Sequence, residues 1–194
     1  MRIALLGGSL RDGSVSLQVL RACAGLAERL GAHPTLLSAP QLVLPPYLPD
    51  AVPDRAAPTP ANRLLSVLRE ADGVIIATPT YHGGMSGLLK NALDHAENLA
   101  TDTPAYLDGR AVGAVAVGWS EHGAATAVAD LRTNIMSLRG WVTPMAVTVS
   151  ALRPSIVDKG VLADGQVMRR LEIMVGQVVD FARQSTPRRL PASA

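Results

Sequence analysis

The sequence predicts an α/β fold, in which a doubly wound parallel sheet lies between two layers of helices. Short apolar segments alternate with longer segments of helical periodicity along the whole chain. The apolar segments are rich in Val, Ile, Leu and Ala, as is typical of parallel strands that are buried on both faces. Three of them run directly into glycine-containing loops. In parallel sheets such loops share the carboxyl edge, where ligands bind.

Five strands and five helices are predicted, and together they form a single domain over residues 1–185. The strands are expected at residues 3–6, 33–38, 73–78, 111–117 and 142–149. The first helix is expected to follow Ser16 and to end at Gly31, and the others are expected at residues 61–71, from about 86, at 124–139 and at 163–184. The proline-rich stretch 39–60 predicts an ordered loop that packs over the sheet edge or against another subunit. Residues 96–110 are expected to form a loop, 150–162 an irregular segment and 186–194 a disordered tail.

Composition excludes several classes of protein. A net charge of +2 over 194 residues is too small for an electrostatic nucleic-acid binder. The single cysteine, Cys23, rules out a disulfide framework, and the four scattered histidines predict no metal site. No apolar run is long enough to span a membrane, and the early first strand leaves no room for a signal peptide. We therefore expect a cytoplasmic protein.

The loop after the first strand is suited to holding a phosphate. Its candidate ligands are the hydroxyls of Ser9, Ser14 and Ser16 and the guanidinium of Arg11, next to a helix N-terminus. No lysine precedes Ser14, so the loop is not a P-loop, and the dinucleotide fingerprint G-x-G-x-x-G is absent. What remains is a loop for a single phosphate. The alternative is that these residues only form a turn and cap the helix.

Two motifs resemble those of the NADPH-dependent FMN reductase family, which is flavodoxin-like. The first is its G-S-L-R-x-x-S loop, matched here by Gly8-Ser9-Leu10-Arg11-Asp12-Gly13-Ser14. The second is its P-x-Y-x-x-x-x-x-G-x-L-K-N-x-L-D motif, matched by residues 79–94. The resemblance covers residues 1–150 or so. It implies a five-stranded sheet of order 2-1-3-4-5 and binding of FMN together with NADPH or NADH.

The same resemblance implies two further groups of cofactor-binding residues. The loop after the third strand would contact the flavin ring through Pro79, Thr80, Tyr81, His82 and Gly83, although Tyr81 could instead be core filler. Many relatives have Glu at position 80 and Asn at position 82, which leaves the ring contacts and the substrate open. The loop after the fourth strand would contribute Gly118, Trp119, Ser120 and Gly123. Hydride transfer between nicotinamide and flavin needs no protein base, so we assign no catalytic side chain.

The leading hypothesis is an FMN-dependent oxidoreductase that moves hydride from NADPH or NADH to FMN. The reduced flavin would serve a partner monooxygenase or a small acceptor. One alternative is a quinone or azo-type reductase with tightly bound FMN. Others are a flavodoxin-like electron carrier and a flavin-free protein that binds another phosphate ligand. A serine hydrolase is excluded, because no histidine follows His122 to complete a triad. A homodimer or homotetramer is expected.

Overall fold

A computed structural model describes residues 1–49, 54, 56–152, 157–158 and 161–185 of the 194-residue chain. The strands are β1 (Arg2–Gly7), β2 (His33–Leu37), β3 (Gly73–Pro79), β4 (Ala111–Gly118), β5 (Trp141–Val142), β6 (Val147–Ser150), β7 (Val157–Asp158) and β8 (Val161–Leu162). The helices are α1 (Val15–Arg29), α2 (Pro60–Glu70), α3 (Gly87–Asp94), α4 (Glu121–Ser137) and α5 (Gly165–Ser185), with a 3-10 helix at His95–Leu99. The predicted disordered tail, 186–194, lies outside the described residues.

The central sheet is parallel and has the predicted order. Its strands follow one another as β2-β1-β3-β4-β5, and β6 also pairs with β4. Leu5 of β1 lies opposite Leu36 of β2 on one side and Ile75 of β3 on the other. This is the doubly wound arrangement in which the strand order reverses between β1 and β3, so the carboxyl ends of these two strands flank a crevice.

The predicted fifth strand is interrupted, and its two segments, β5 and β6, both pair with β4. Val112 lies opposite Val142 of β5, whereas Val115 lies opposite Val147 of β6. Four residues of the outer strand, 143–146, therefore face two residues of β4. Pro144 lies in this stretch and has no amide hydrogen, so it cannot continue the ladder. The Met145 amide instead donates to Gln177 Oε1 of α5 at 3.0 Å.

Helices cover both faces of the sheet and enclose two hydrophobic cores. Alternate residues of each strand point to opposite sides: Leu6, Val74 and Ile76 face the core under α2, α3 and α4. Leu5 and Ile75 face the core under α1 and α5, which also contains the buried Cys23. This three-layer packing confirms the predicted fold class. Among the described residues, no helix has both the length and the apolar character needed to cross a bilayer.

The proline-rich stretch is packed against the fold where the structure describes it. Leu42 and Leu44 are buried in the core under α2 and α3. Asn91 of α3 accepts from the Tyr47 amide at 3.0 Å and donates to the carbonyls of Leu44 and Pro45 at 3.2 and 3.0 Å. Residues 50–53 and 55 of this stretch lie outside the described residues. The described part is thus an ordered loop over the sheet, held by α3.

Other parts of the chain also differ from the sequence expectation, including the 3-10 helix His95–Leu99, which extends into the expected loop 96–110. Helix α4 begins at Glu121 rather than Ala124, because the Ser120 side chain caps it by accepting from the Gly123 amide at 3.1 Å. Within the segment expected to be irregular, β7 and β8 pair as a short antiparallel hairpin.

Candidate functional site

A cavity of about 630 Å³ lies at the carboxyl edge of the sheet, where the loops after β1, β3 and β4 meet. Its volume is in the range typical of small-molecule sites. The lining combines nine of the thirteen residues predicted from the sequence with six others. The predicted nine are Ser9, Arg11, Ser14, Ser16, Pro79, Thr80, Tyr81, His82 and Trp119; the others are Asp12, Gly13, Val15, Val117, Ala151 and Leu152.

The loop after β1, residues 8–16 (the phosphate loop), presents hydroxyl donors. Ser14 is the N-cap of α1, and its Oγ accepts from the Leu17 amide at 3.3 Å. The Ser9 Oγ accepts from the Arg11 amide at 3.2 Å. A hydroxyl that accepts through a lone pair keeps its own hydrogen for donation. Ser16 is buried and lies 3.2 Å from Ser14, oxygen to oxygen. One hydrogen of the Ser14–Ser16 pair is used in the bond between them, so Ser9 and one member of that pair can donate to an anion in the cavity.

The Arg11 guanidinium has no hydrogen bond or ion pair with any residue that the structure describes. It is exposed at the cavity, next to Asp12, and the two side chains flank the N-terminus of α1. The dipole of that helix favours negative charge at the same place. An uncommitted cation at a helix N-terminus, together with hydroxyl donors, is the donor set that a phosphate requires.

The loop after β3 contains a tight turn at residues 81–84, which we call the ring turn. Tyr81 and Gly84 exchange two backbone hydrogen bonds of 3.1 and 3.0 Å. The central residues have positive φ angles, 50° for His82 and 83° for Gly83, as a type I′ turn requires. Asn-Gly is the preferred pair at such a turn, and histidine is one of the few other residues that tolerate this backbone region.

The ring turn presents both side chains and backbone donors at the cavity. Tyr81 and His82 line it, and Tyr81 is 54% exposed, which excludes the alternative role of core filler. No described group accepts from the amides of His82 and Gly83. A Cβ added to Gly83 would lie 3.4 Å from Thr126 Oγ1, on the side of α4. Gly83 is thus needed for its backbone angle and is not itself among the lining residues.

Thr80 carries a polar atom without a partner. Its Oγ1 is buried, and within the described part of the chain nothing hydrogen-bonds to it. The Thr80 amide donates to the Val117 carbonyl of β4 at 2.8 Å, which fixes the backbone. Because a buried hydroxyl without a partner costs free energy, this position calls for a partner from outside the chain, either an ordered water or a bound ligand.

The loop after β4, residues 118–123, contributes less directly than the sequence suggested. Trp119 lines the cavity and is 75% exposed. Ser120 and Gly123 form the cap of α4, and the Gly118 carbonyl accepts from the Ala151 amide at 2.8 Å. These three residues and Gly83 support the cavity wall but do not line it.

A fourth segment of the wall was missed by the sequence reasoning. Ala151 and Leu152 directly follow β6 and line the cavity beside Trp119. The sequence does contain a signal for this segment. Residues that follow any strand of a parallel sheet lie at its carboxyl edge, where ligands bind, and this applies to the residues after β6 as well as to the other three loops.

The chain is similar in sequence to a known enzyme family. Residues 1–152 match the family described as NADPH-dependent FMN reductase. An FMN-dependent NADPH-azoreductase of Staphylococcus haemolyticus is 34% identical over 118 residues, which are 59% of this chain and 58% of the relative. A quinone reductase of Escherichia coli K12 is 32% identical over 102 residues, 51% of this chain and 52% of the relative. The matches thus span little more than half the length of these relatives.

Solved structures share the fold over nearly the whole chain. FerB from Paracoccus denitrificans, a flavoenzyme NAD(P)H:(acceptor) oxidoreductase, superimposes with a TM-score of 0.77 at 23% identity. The superposition covers 95% of this chain and 98% of FerB. An NADH:FMN oxidoreductase in its apo form gives a TM-score of 0.68 at 22% identity, over 94% of this chain and 89% of that one.

Proposed function

Because the chain belongs to the NADPH-dependent FMN reductase family, we propose that it is an FMN-dependent oxidoreductase using NADPH or NADH as hydride donor. The proposal rests on one observation: the segments that follow β1, β3, β4 and β6 line one cavity, and Arg11, which has no partner among the described residues, lies at the end of that cavity where a phosphate would bind. The Arg11 guanidinium, the Thr80 hydroxyl and the His82 amide have no partner among the described residues. FMN has a phosphate for one end of the cavity and an apolar, hydrogen-bonding ring for the other.

The phosphate of FMN would be held by the phosphate loop. Ser9 and one member of the hydrogen-bonded Ser14–Ser16 pair have a hydroxyl hydrogen to donate, and Arg11 supplies the charge. The N-terminus of α1 adds its dipole. Such a site discriminates FMN from riboflavin, because riboflavin leaves these donors without an acceptor.

The flavin ring would be held by the ring turn, Thr80 and Trp119. The Thr80 hydroxyl and the free amide of His82 are the available donors on residues that line the cavity. Tyr81, Trp119 and Leu152 provide apolar surface and exclude water from the ring. The bound flavin supplies the hydride chemistry, and the protein positions it and its partner nucleotide. No side chain needs to move a proton in the step from nicotinamide to flavin, in agreement with a site that has no assigned base.

The electron acceptor separates two versions of this function. A quinone or azo-type reductase retains FMN and should purify yellow, whereas a flavin reductase that supplies a monooxygenase releases it. The names of the azoreductase and quinone reductase relatives favour the first version. The deciding measurement is the flavin content of the purified protein, combined with NADPH and NADH oxidation with and without a quinone.

The proposal is tested by titration with two flavins. Hydrogen bonds to charged groups contribute about 1.5–3 kcal/mol each. Loss of several should therefore weaken riboflavin relative to FMN by at least ~100-fold, at 1.4 kcal/mol per factor of ten. Equal affinities for FMN and riboflavin would refute a phosphate-directed site. If the protein with bound FMN does not oxidise NADPH or NADH, its function would instead be that of an electron carrier or of a protein that only binds flavin.

We also infer that the active form is a cytoplasmic homodimer or homotetramer. Closed symmetric assemblies are the commonest oligomers of soluble enzymes, and exposed apolar residues such as Val43 and Leu48 lie on the proline-rich loop. Light scattering at micromolar concentration should give a multiple of the 20.3 kDa chain mass. A monomer mass would contradict this assembly.

A further inference from the structure

The ring turn is attached to α4 by a carboxylate that lies outside the cavity lining. Asp130 Oδ2 accepts from the Met85 amide at 3.0 Å, and Met85 is the residue directly after the turn. Asp130 Oδ1 accepts from Asn134 Nδ2 at 3.1 Å. Both oxygens of this half-buried side chain therefore face donors. A charge-assisted bond of this kind is roughly twice as strong as a neutral one.

Gly84 makes room for this contact. A Cβ added to Gly84 would lie 3.3 Å from Asp130 Oδ2, which is tighter than an ordinary contact. On the preceding turn of α4, Thr126 Oγ1 lies 3.4 Å from where a Cβ of Gly83 would be. Two neighbouring glycines of the turn thus pack closely on one face of α4.

The other backbone attachments of this loop hold its ends rather than its tip. The Thr80 amide is bonded to β4, and the Ser86 amide donates to Thr78 Oγ1 at 3.0 Å. Between these two points the chain projects as the ring turn, with His82 at its tip. Among the described residues, the hydrogen bond that joins this projecting part to a helix is the one from the Met85 amide to Asp130, and the Met85 side chain is also buried in the core.

We propose that Asp130 is the positioning residue of the ring turn, and that it sets the placement of Tyr81 and His82 against the flavin. This inference rests on the proposed function for its flavin readouts, but the contact itself can be tested without flavin. Asp130 does not line the cavity, so its effect on a bound ring would be transmitted through the turn.

The negative charge of Asp130 strengthens this contact beyond what a neutral acceptor would give. The Met85 amide and Asn134 Nδ2 both donate to the Asp130 carboxylate, and Asn134 Nδ2 also donates to the Asp130 carbonyl at 2.9 Å. In Asp130→Asn the amide oxygen can still accept from Met85, but without the charge, and the new NH₂ group then faces Asn134. Asp130→Asn should therefore lie between the parent protein and Asp130→Ala.

The first experiment measures amide hydrogen exchange in the flavin-free protein. Asp130→Ala should accelerate exchange of the Met85 amide by at least about tenfold, the factor expected for loss of one charge-assisted hydrogen bond. Thr133→Ala is the matched control on the same helix, because Thr133 is exposed and its side chain bonds only to the Ala129 carbonyl in the described part of the chain. Unchanged exchange at Met85 in Asp130→Ala would overturn the proposal.

The second experiment measures what the turn does to a bound flavin. Asp130→Ala should weaken FMN about tenfold and alter the visible absorption bands of the bound flavin, with the Thr133→Ala control unchanged. The ratio of FMN to riboflavin affinity should stay at its parent value, because the phosphate loop is untouched. Parent-like absorption bands and FMN affinity in Asp130→Ala would refute the positioning role.

A double-mutant cycle separates the contact from a general loss of folding. Gly84→Ala crowds the carboxylate and should by itself weaken FMN, whereas in Asp130→Ala the same change should add little. Additive effects of the two substitutions would contradict the proposal. If the parent protein binds no FMN, the proposed function fails, while the exchange result at Met85 still decides whether the contact holds the turn.

Discussion

Arg11→Ala gives a sharp test of the phosphate loop, because the structure predicts that it affects ligand binding and not folding. The Arg11 guanidinium is exposed and has no partner among the described residues, so its removal leaves no group of the protein without a bond. A hydrogen bond to a charged group contributes about 1.5–3 kcal/mol. Solvent exposure places this contact at the lower end of that range, so FMN should bind about 10-fold more weakly, and at most ~100-fold.

The assay compares flavins and controls by titration of flavin fluorescence. Riboflavin affinity should be unchanged in Arg11→Ala, since riboflavin has no phosphate to lose. Arg21→Ala on α1 is the matched control, as an exposed arginine that does not line the cavity. The parent protein should lose FMN affinity with added salt more steeply than Arg11→Ala does. Flavin reduction by NADPH at saturating FMN should be largely spared.

The result that would refute this reasoning is an equal loss of affinity for FMN and riboflavin in Arg11→Ala. It would mean that Arg11 acts on the ring or on the fold and not on the phosphate. A slowed reduction step at saturating FMN would contradict the separation of a phosphate end from a ring end in the cavity.

Three further outcomes are expected. Gly83→Val places a β-branched residue at a φ of 83° and should distort the ring turn. Flavin reduction at saturating FMN, measured by stopped-flow, should then be slower by about 100-fold, and a rate equal to that of the parent protein would contradict the role of the turn. Asn91→Ala removes three hydrogen bonds to the proline-rich loop and should lower the free energy of unfolding by about 2–3 kcal/mol in urea titrations. A change below about 0.5 kcal/mol would show that other contacts hold this loop. Burial raises the pKa of the Cys23 thiol from 9.0 to about 12, so alkylation of this thiol should require unfolding, and rapid labelling of the folded protein at pH 8 would contradict this. The free energy of unfolding should decrease as the pH rises from 9.0 to about 12, because only the thiol of the unfolded chain ionises in that range.

Sequence reasoning succeeded where the relevant physics is local. Alternation of apolar strands with helical periodicity specified a parallel sheet, and its loops after β1, β3 and β4 had to share one edge. The hydroxyls and arginine of the phosphate loop lie within eight positions of one another, so Ser9 to Ser16 could be grouped without knowing the fold. The strand order itself came from the family resemblance, since periodicity does not encode which strands are neighbours.

Only the tertiary structure decided the features that depend on distant partners. The sequence shows that Pro144 must interrupt the outer strand, but not that the strand resumes after it. The strand resumes as β6 because β4 is long enough to pair with both β5 and β6. Leu152 became part of the cavity because the Ala151 amide reaches the Gly118 carbonyl. The bond from Asp130 to Met85 joins residues 45 positions apart and follows no sequence pattern. Such contacts depend on how helices pack across the sheet, and local periodicity carries no information about that packing.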